Sequence, residues 1–159
     1  MSSAGAFTSW IDRPGRDVRA ALLTRPYEFR SPFAGEPFVL LLLVCDPLVT
    51  DAEQTAICDA IVRSGCRWVC CAGHDGSAWD DAVDWSDLSV HDFKGPETGL
   101  MTTWHDRDTP AEIADFLFDS TDVDGDPPQR FLVAFVGNDP RLRGEYETVV
   151  RSRVPRQAE

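Results

Sequence analysis

Three stretches of the chain are apolar almost without interruption: "FVLLLLVC" at 38–45, "RWVCCAG" at 67–73 and "RFLVAFVG" at 130–137. None alternates polar with apolar residues. A strand with one wet face would alternate with a period of two, so each run predicts a strand covered on both sides, as in a parallel sheet flanked by helices. A fourth run, "GLMTTWH" at 99–105, is less apolar but ends in the same kind of residues.

Between these runs the period changes to that of a helix. In "TDAEQTAICDAIVRSG", residues 50–65, Thr50 and Glu53 form a capping box, Ala52, Ala56, Ile57, Ala60 and Ile61 make an apolar stripe, and Gly65 supplies the stop. In "TPAEIADFLFDS", residues 109–120, Thr109 is the N-cap, Pro110 takes the first helical position, Glu112 completes the box, and Ile113, Phe116 and Leu117 face inward. A short helix after Ser77 buries Trp79 and Val83, and Leu142, Tyr146, Val149, Val150 and Val154 predict a terminal helix over 142–154.

Alternating strands and helices specify an open α/β sheet with right-handed crossovers. The expected architecture is one α/β domain over residues 1–159: an open, mainly parallel sheet of four to five strands with helices on both faces, a Rossmann-like three-layer arrangement. The candidate fifth strand is "LSVHDF" at 88–93. Leu41, Leu43, Val69, Leu132, Ala134 and Val136 are expected to be almost fully buried. The first 35 residues, with prolines at 14, 26 and 32, predict an irregular arm laid over the sheet, and residues 120–129 a polar surface loop. There is no internal repeat.

A chain of 159 residues buries roughly 70% of its unfolded surface, enough for a core without covalent staples. Its charge is more telling. The 27 acidic against 15 basic side chains give a formal net charge of -12, which opposes nucleic-acid binding and anionic membranes. Fifteen of the acids fall between residues 75 and 126, where only Lys94 and Arg107 offset them, whereas both ends are rich in arginine. The five cysteines are odd in number and form no CxxC pairs, which argues against a disulfide framework and a structural zinc ribbon, and no metal ligand is assigned. No run approaches the ~20 apolar residues of a membrane span, and the N-terminal residues lack the basic-then-apolar order of a secretory signal, so a cytoplasmic protein is expected.

Candidate chemistry gathers where the strands stop. In "WVCCAGHDGSAWDD", residues 68–81, Cys70 and Cys71 point to opposite faces of the strand as small hydrophobes, while His74 and Asp75 lie just past its end. The other strands end in "CDP", "WHD" and "GND". Ligands of open α/β sheets bind outside the carboxyl ends of the strands, so Asp46, His74, Asp75, His105, Asp106, Asn138 and Asp139 are the candidate ligand-binding residues. Asp and Asn are also ordinary turn residues that satisfy backbone groups where strands stop. His91 lies away from that edge. There is no phosphate loop, no dinucleotide fingerprint and no nucleophile elbow, and no cofactor is implied. "DVDGDPP" at 122–128 alternates aspartates as a calcium loop does, but Pro127 and Val133 stand where that loop needs glycine and glutamate.

Two functional readings follow. The first is a non-enzymatic, acidic protein-interaction module, inhibitor- or immunity-like, that covers a basic protein partner with its 75–126 surface; Trp79, Trp85 and Phe93 are the candidate anchors among Asp80, Asp81, Asp84 and Asp87. The alternative is a small enzyme with a metal-assisted or acid/base site built from the Asp and His residues of the sheet edge.

Overall fold

The computed structural model describes residues 6–92 and 100–153. Ten elements follow one another: β1 (Thr8–Arg13), β2 (Arg16–Leu23), β3 (Phe38–Val44), α1 (Asp51–Arg63), β4 (Cys66–Gly73), α2 (Gly76–Val90), β5 (Met101–Trp104), α3 (Pro110–Asp119), β6 (Arg130–Val136) and α4 (Pro140–Arg151). The strands form one six-stranded sheet in the order β1-β2-β6-β3-β4-β5. Only the β1–β2 pair is antiparallel; every other pair is parallel.

The three continuous apolar runs lie side by side at the middle of this sheet, which explains why they do not alternate. Side chains of β3 enter both hydrophobic layers: Val39, Leu41 and Leu43 pack with α3 and α4, and Leu40, Leu42 and Val44 with α1 and α2. Leu41, Val69, Leu132, Ala134 and Val136 have no exposed surface and Leu43 has 1%. Cys70 and Cys71 divide between the same two layers. Burial pushes the Cys70 thiol up to about 12 and that of Cys71 well above its ordinary value, so both act as neutral packing groups.

The sheet exceeds the expected four to five strands because much of the proposed N-terminal arm is a hairpin. Arg13 pairs with Arg16 across Pro14 and Gly15, and Gly15 takes a positive φ of 80° that glycine adopts without a Cβ penalty. Arginines hid β2 from the apolar pattern. They stack their guanidinium groups on aromatic rings and stay half-buried: Arg16 lies 4.3 Å over the Phe118 ring and Arg19 5.1 Å over Phe33. Residues 24–37 then cross one face, where Phe29 and Phe33 join the core.

Helix caps formed where the sequence placed them, with both capping boxes present at Thr50 and Thr109. The buried face of α1 is Ile57, Cys58 and Ile61, while Ala52 and Ala56 are exposed, because the larger side chains set the helix rotation. Residues 88–90 complete α2 rather than start a strand, and Phe93 lies outside the described residues. The terminal helix starts two residues earlier than expected, at Pro140, and Val154 lies outside the described residues. No helix among the described residues is long and apolar enough to cross a membrane.

The chain leaves β3 through α1 towards β4 and β5, then returns through α3 to β6 on the other flank of β3. Strand order therefore reverses between β3 and β6, and the crevice outside their carboxyl ends is the usual ligand position of such sheets.

Candidate functional site

A cleft of about 360 Å³ lies at that switch point, lined by Thr24, Arg25, Tyr27, Cys45, Asp46, Pro47, Gly137 and Asn138. Asp46 is its organising group. Its carboxylate accepts hydrogen bonds from the Tyr27 hydroxyl at 2.5 Å and the Leu48 backbone N–H at 2.8 Å, and Arg25 lies at 3.2 Å. These contacts, the tyrosine first, hold the carboxyl below the usual carboxylate range. Burial and the same hydrogen bond push the Tyr27 hydroxyl up to about 12. Arg25 is itself fixed by Glu53 at 3.0 Å and the Leu48 carbonyl at 3.0 Å. Gly137 has a positive φ of 95°, and a Cβ there would come within 2.8 Å of the Asp46 Cβ. That close approach brings the end of β6 against the cleft. Burial, with Asp139 nearby, raises the Cys45 thiol to about 11, so it is not a thiolate nucleophile at neutral pH.

The other strand-end residues have separate tasks. His74 and Asp75 are exposed, and Asp75 adopts a left-handed φ of 57° without capping α2 by its side chain. The cap arrives from the loop after β5: Asp106 accepts from the N–H of Gly76 at 2.9 Å and of Ser77 at 3.3 Å. A carboxylate there also complements the positive end of the helix. Asp139 caps α4 by accepting from Leu142 N–H at 3.1 Å. Asp106→Ala should therefore cost about 0.5–2 kcal/mol of stability, the usual effect of a lost N-cap. Urea unfolding checks this, and an unchanged midpoint would show that α2 does not depend on the contact.

His105 is buried behind the same loop, against the Phe116 ring at 4.6 Å. Thr103 Oγ1 accepts from Trp68 Nε1 at 3.3 Å and is hydrogen-bonded to His105 Nε2 at 2.9 Å. Asp108 Oδ2, a carboxylate oxygen that can only accept, takes the Nδ1–H of His105 at 2.9 Å. His105, Asp106 and Asp108 line a second cleft, of about 410 Å³, with Ser77, Trp104 and Arg107. Thus Asp46 and Asn138 share one cleft, His105 and Asp106 share another, and His74 and Asp75 line neither. Among the described residues no group of three or more His, Cys, Asp or Glu side chains is arranged to hold a metal ion.

The proposed partner face divides as well. Trp79 is not an exposed anchor: it is 3% exposed and packs in the core with Val83. The helical turn beginning at Gly76 puts Trp79, Val83 and Ser86 on the inward side. Asp80 is 6% exposed, its Oδ1 has no hydrogen-bond partner, and burial raises its pKa. Asp81, Asp84 and Trp85 are exposed, Asp84 accepts from Thr102 Oγ1 at 2.8 Å, and Asp87 meets His91 at 3.3 Å. Leu88, Met101 and Trp104 are the exposed apolar groups that sequence reasoning missed, with 46%, 50% and 58% exposure. Their signal was available only in part, since "MTTW" reads as a buried strand until its place at the sheet edge is known.

These features define a three-layer α/β domain with a polar cleft at its switch point and an acidic, aromatic-bearing flank. The chain belongs to a family described as a domain of unknown function, DUF7684, whose model matches residues 18–152. Comparison with curated proteins and with solved structures gave no match.

Proposed function

We propose that this protein is an acidic interaction module, inhibitor- or immunity-like, that docks a basic protein partner on the flank formed by α2 and β5. One observation carries the reading. Of the six large apolar side chains exposed among the described residues, four (Trp85, Leu88, Met101 and Trp104) lie on those two elements, beside the exposed Asp81 and Asp84. Exposed aromatic groups ringed by polar residues have the composition of binding hot spots. Carboxylates around them steer a cationic partner into place. The five free thiols suit a reducing compartment, which supports a cytoplasmic protein.

Co-purification from the native host, followed by association kinetics at two salt concentrations, tests the proposal. Association is expected to be fast at low salt and to slow as ionic strength rises, because screening beyond ~10 Å at 0.1 M removes the steering. Asp81→Asn with Asp84→Asn should lower the on-rate more than it changes dissociation, and Trp104→Ala should chiefly speed dissociation. A partner that docks on the arginine-bearing ends of the chain, or no basic protein at all, would overturn the reading.

A second reading, an acid/base site for a small substrate, is favoured by the position of the Asp46 cleft at the switch point. Its metal-assisted form has no supporting donor group among the described residues.

A further inference from the structure

The β5 strand closes one end of the sheet, and its register decides which of its backbone groups no other strand among the described residues takes up. The carbonyl of Cys71 accepts from His105 N–H at 2.9 Å, and the parallel pairs run from Trp68 with Met101 to Cys71 with Trp104. Backbone groups alternate along a strand. Those of Met101, Thr103 and His105 therefore turn towards β4, and the N–H and C=O of Thr102 and Trp104 turn outward. The opposite end of the sheet is different, because β1 has a register shift between Ser9 and Ile11 and ends at Arg13, which pairs with Arg16. A bulge and cationic side chains are common protections of an edge strand.

Around β5 the charge is mainly negative. Asp84 is hydrogen-bonded to Thr102 from α2, Asp106 and Asp108 follow the strand, and Arg107 is the one lysine or arginine among the described residues between 76 and 108. Beneath the surface of the same helix, Asp80 adds a carboxylate whose Oδ1 has no partner. Met101 and Trp104, half or more exposed, stand on the two faces of the strand.

We propose that β5 is a docking edge for an extended, basic segment of the partner, which joins the sheet as a further strand by pairing with the outward backbone groups of Thr102 and Trp104. Apolar side chains of that segment lie on Met101 and Trp104, and its cationic side chains face Asp84, Asp106 and Asp108. Main-chain pairing supplies the geometry and these side chains the selectivity, as in other strand-addition complexes. The inference rests on the acidic-interface reading above but can fail separately from it.

The test uses the full chain and two synthetic peptides of equal charge, one alternating Lys and Val and one alternating Lys and Pro. The first can pair as a strand. The second lacks half of its backbone donors and disfavours a strand ladder. Amide hydrogen exchange and peptide affinity are read together. With the Lys-Val peptide bound, exchange at the Thr102 and Trp104 amides should slow about tenfold or more; the Lys-Pro peptide should bind more weakly and leave both amides unchanged. Binding of either peptide that falls with salt, without slowing at Thr102 and Trp104 in the Lys-Val complex, would overturn strand addition and leave the acidic interface standing. Equal slowing by both peptides would also overturn it. If neither peptide binds, strand addition at β5 is overturned, while the acidic interface is decided by co-purification and the salt dependence of association.

Discussion

Leu41→Ala is expected to lower the unfolding free energy by about 2–5 kcal/mol, the range for a leucine replaced by a cavity. Leu41 has no exposed surface and sits in β3, which is paired on both sides, opposite Cys70 of β4 and Val133 of β6. Its side chain enters the layer under α3 and α4, where Ile113, Leu117, Phe131 and Phe135 are also almost completely buried. A wall held by two ladders and two helices has little freedom to collapse into the space. Leu48→Ala provides the contrast, because Leu48 is 75% exposed and should change stability by less than about 0.5 kcal/mol. Urea denaturation of both variants checks the pair. A loss below about 1 kcal/mol at Leu41 would mean that this layer repacks freely.

Asp80→Asn should act in the opposite direction and stabilise the protein at neutral pH by about 1 kcal/mol or more, because the amide removes a charge that burial disfavours. Asp80 lies almost wholly inside, one of its oxygens has no donor, and burial is the main cause of its raised pKa. The pH dependence follows from that direction. A carboxyl whose folded pKa exceeds its unfolded one binds its proton more tightly when folded. Its neutral form is accommodated below the unfolded pKa, and stability is lost as pH rises through the folded pKa. The difference between the variant and the native protein should therefore be large at pH 7 and small near pH 4. Asp46 has the opposite sign, since its folded pKa is lowered by Tyr27, Leu48 and Arg25. It supports the fold above its unfolded pKa, and that support is lost as pH falls. Unfolding curves of Asp80→Asn and Asp46→Asn across this range should diverge in opposite senses. A variant at Asp80 that is less stable at pH 7 would show that the carboxylate is better satisfied than its unpartnered oxygen implies.

Asp80 also links stability to the proposed function. Wherever its carboxyl is ionised, Asp80 adds under α2 to the field of Asp81 and Asp84, and proteins commonly keep such local instability at sites of interaction.

The central strands and the helix starts were legible in the sequence because their causes are local. Continuous apolar runs must be covered on both faces, and a Thr three residues before a Glu satisfies helix donors within one turn. That logic recovered β3, β4 and β6 and both capping boxes. It could not recover β2, whose arginines and aspartate look solvated until Phe33 and Phe118 are brought beneath them. Nor could it assign the aspartates at the strand ends. Each is a turn residue by composition, yet Asp46 anchors the switch-point cleft, whereas Asp106 caps a helix that begins 30 positions earlier in the chain. Trp79 and Trp104 show the same division: both are tryptophans beside acids, but one faces the sheet and the other its open edge. Period and capping act over a few residues and are written in the sequence. The order β1-β2-β6-β3-β4-β5 is set by packing the whole chain, and only that order decides which side chains meet and which remain in water.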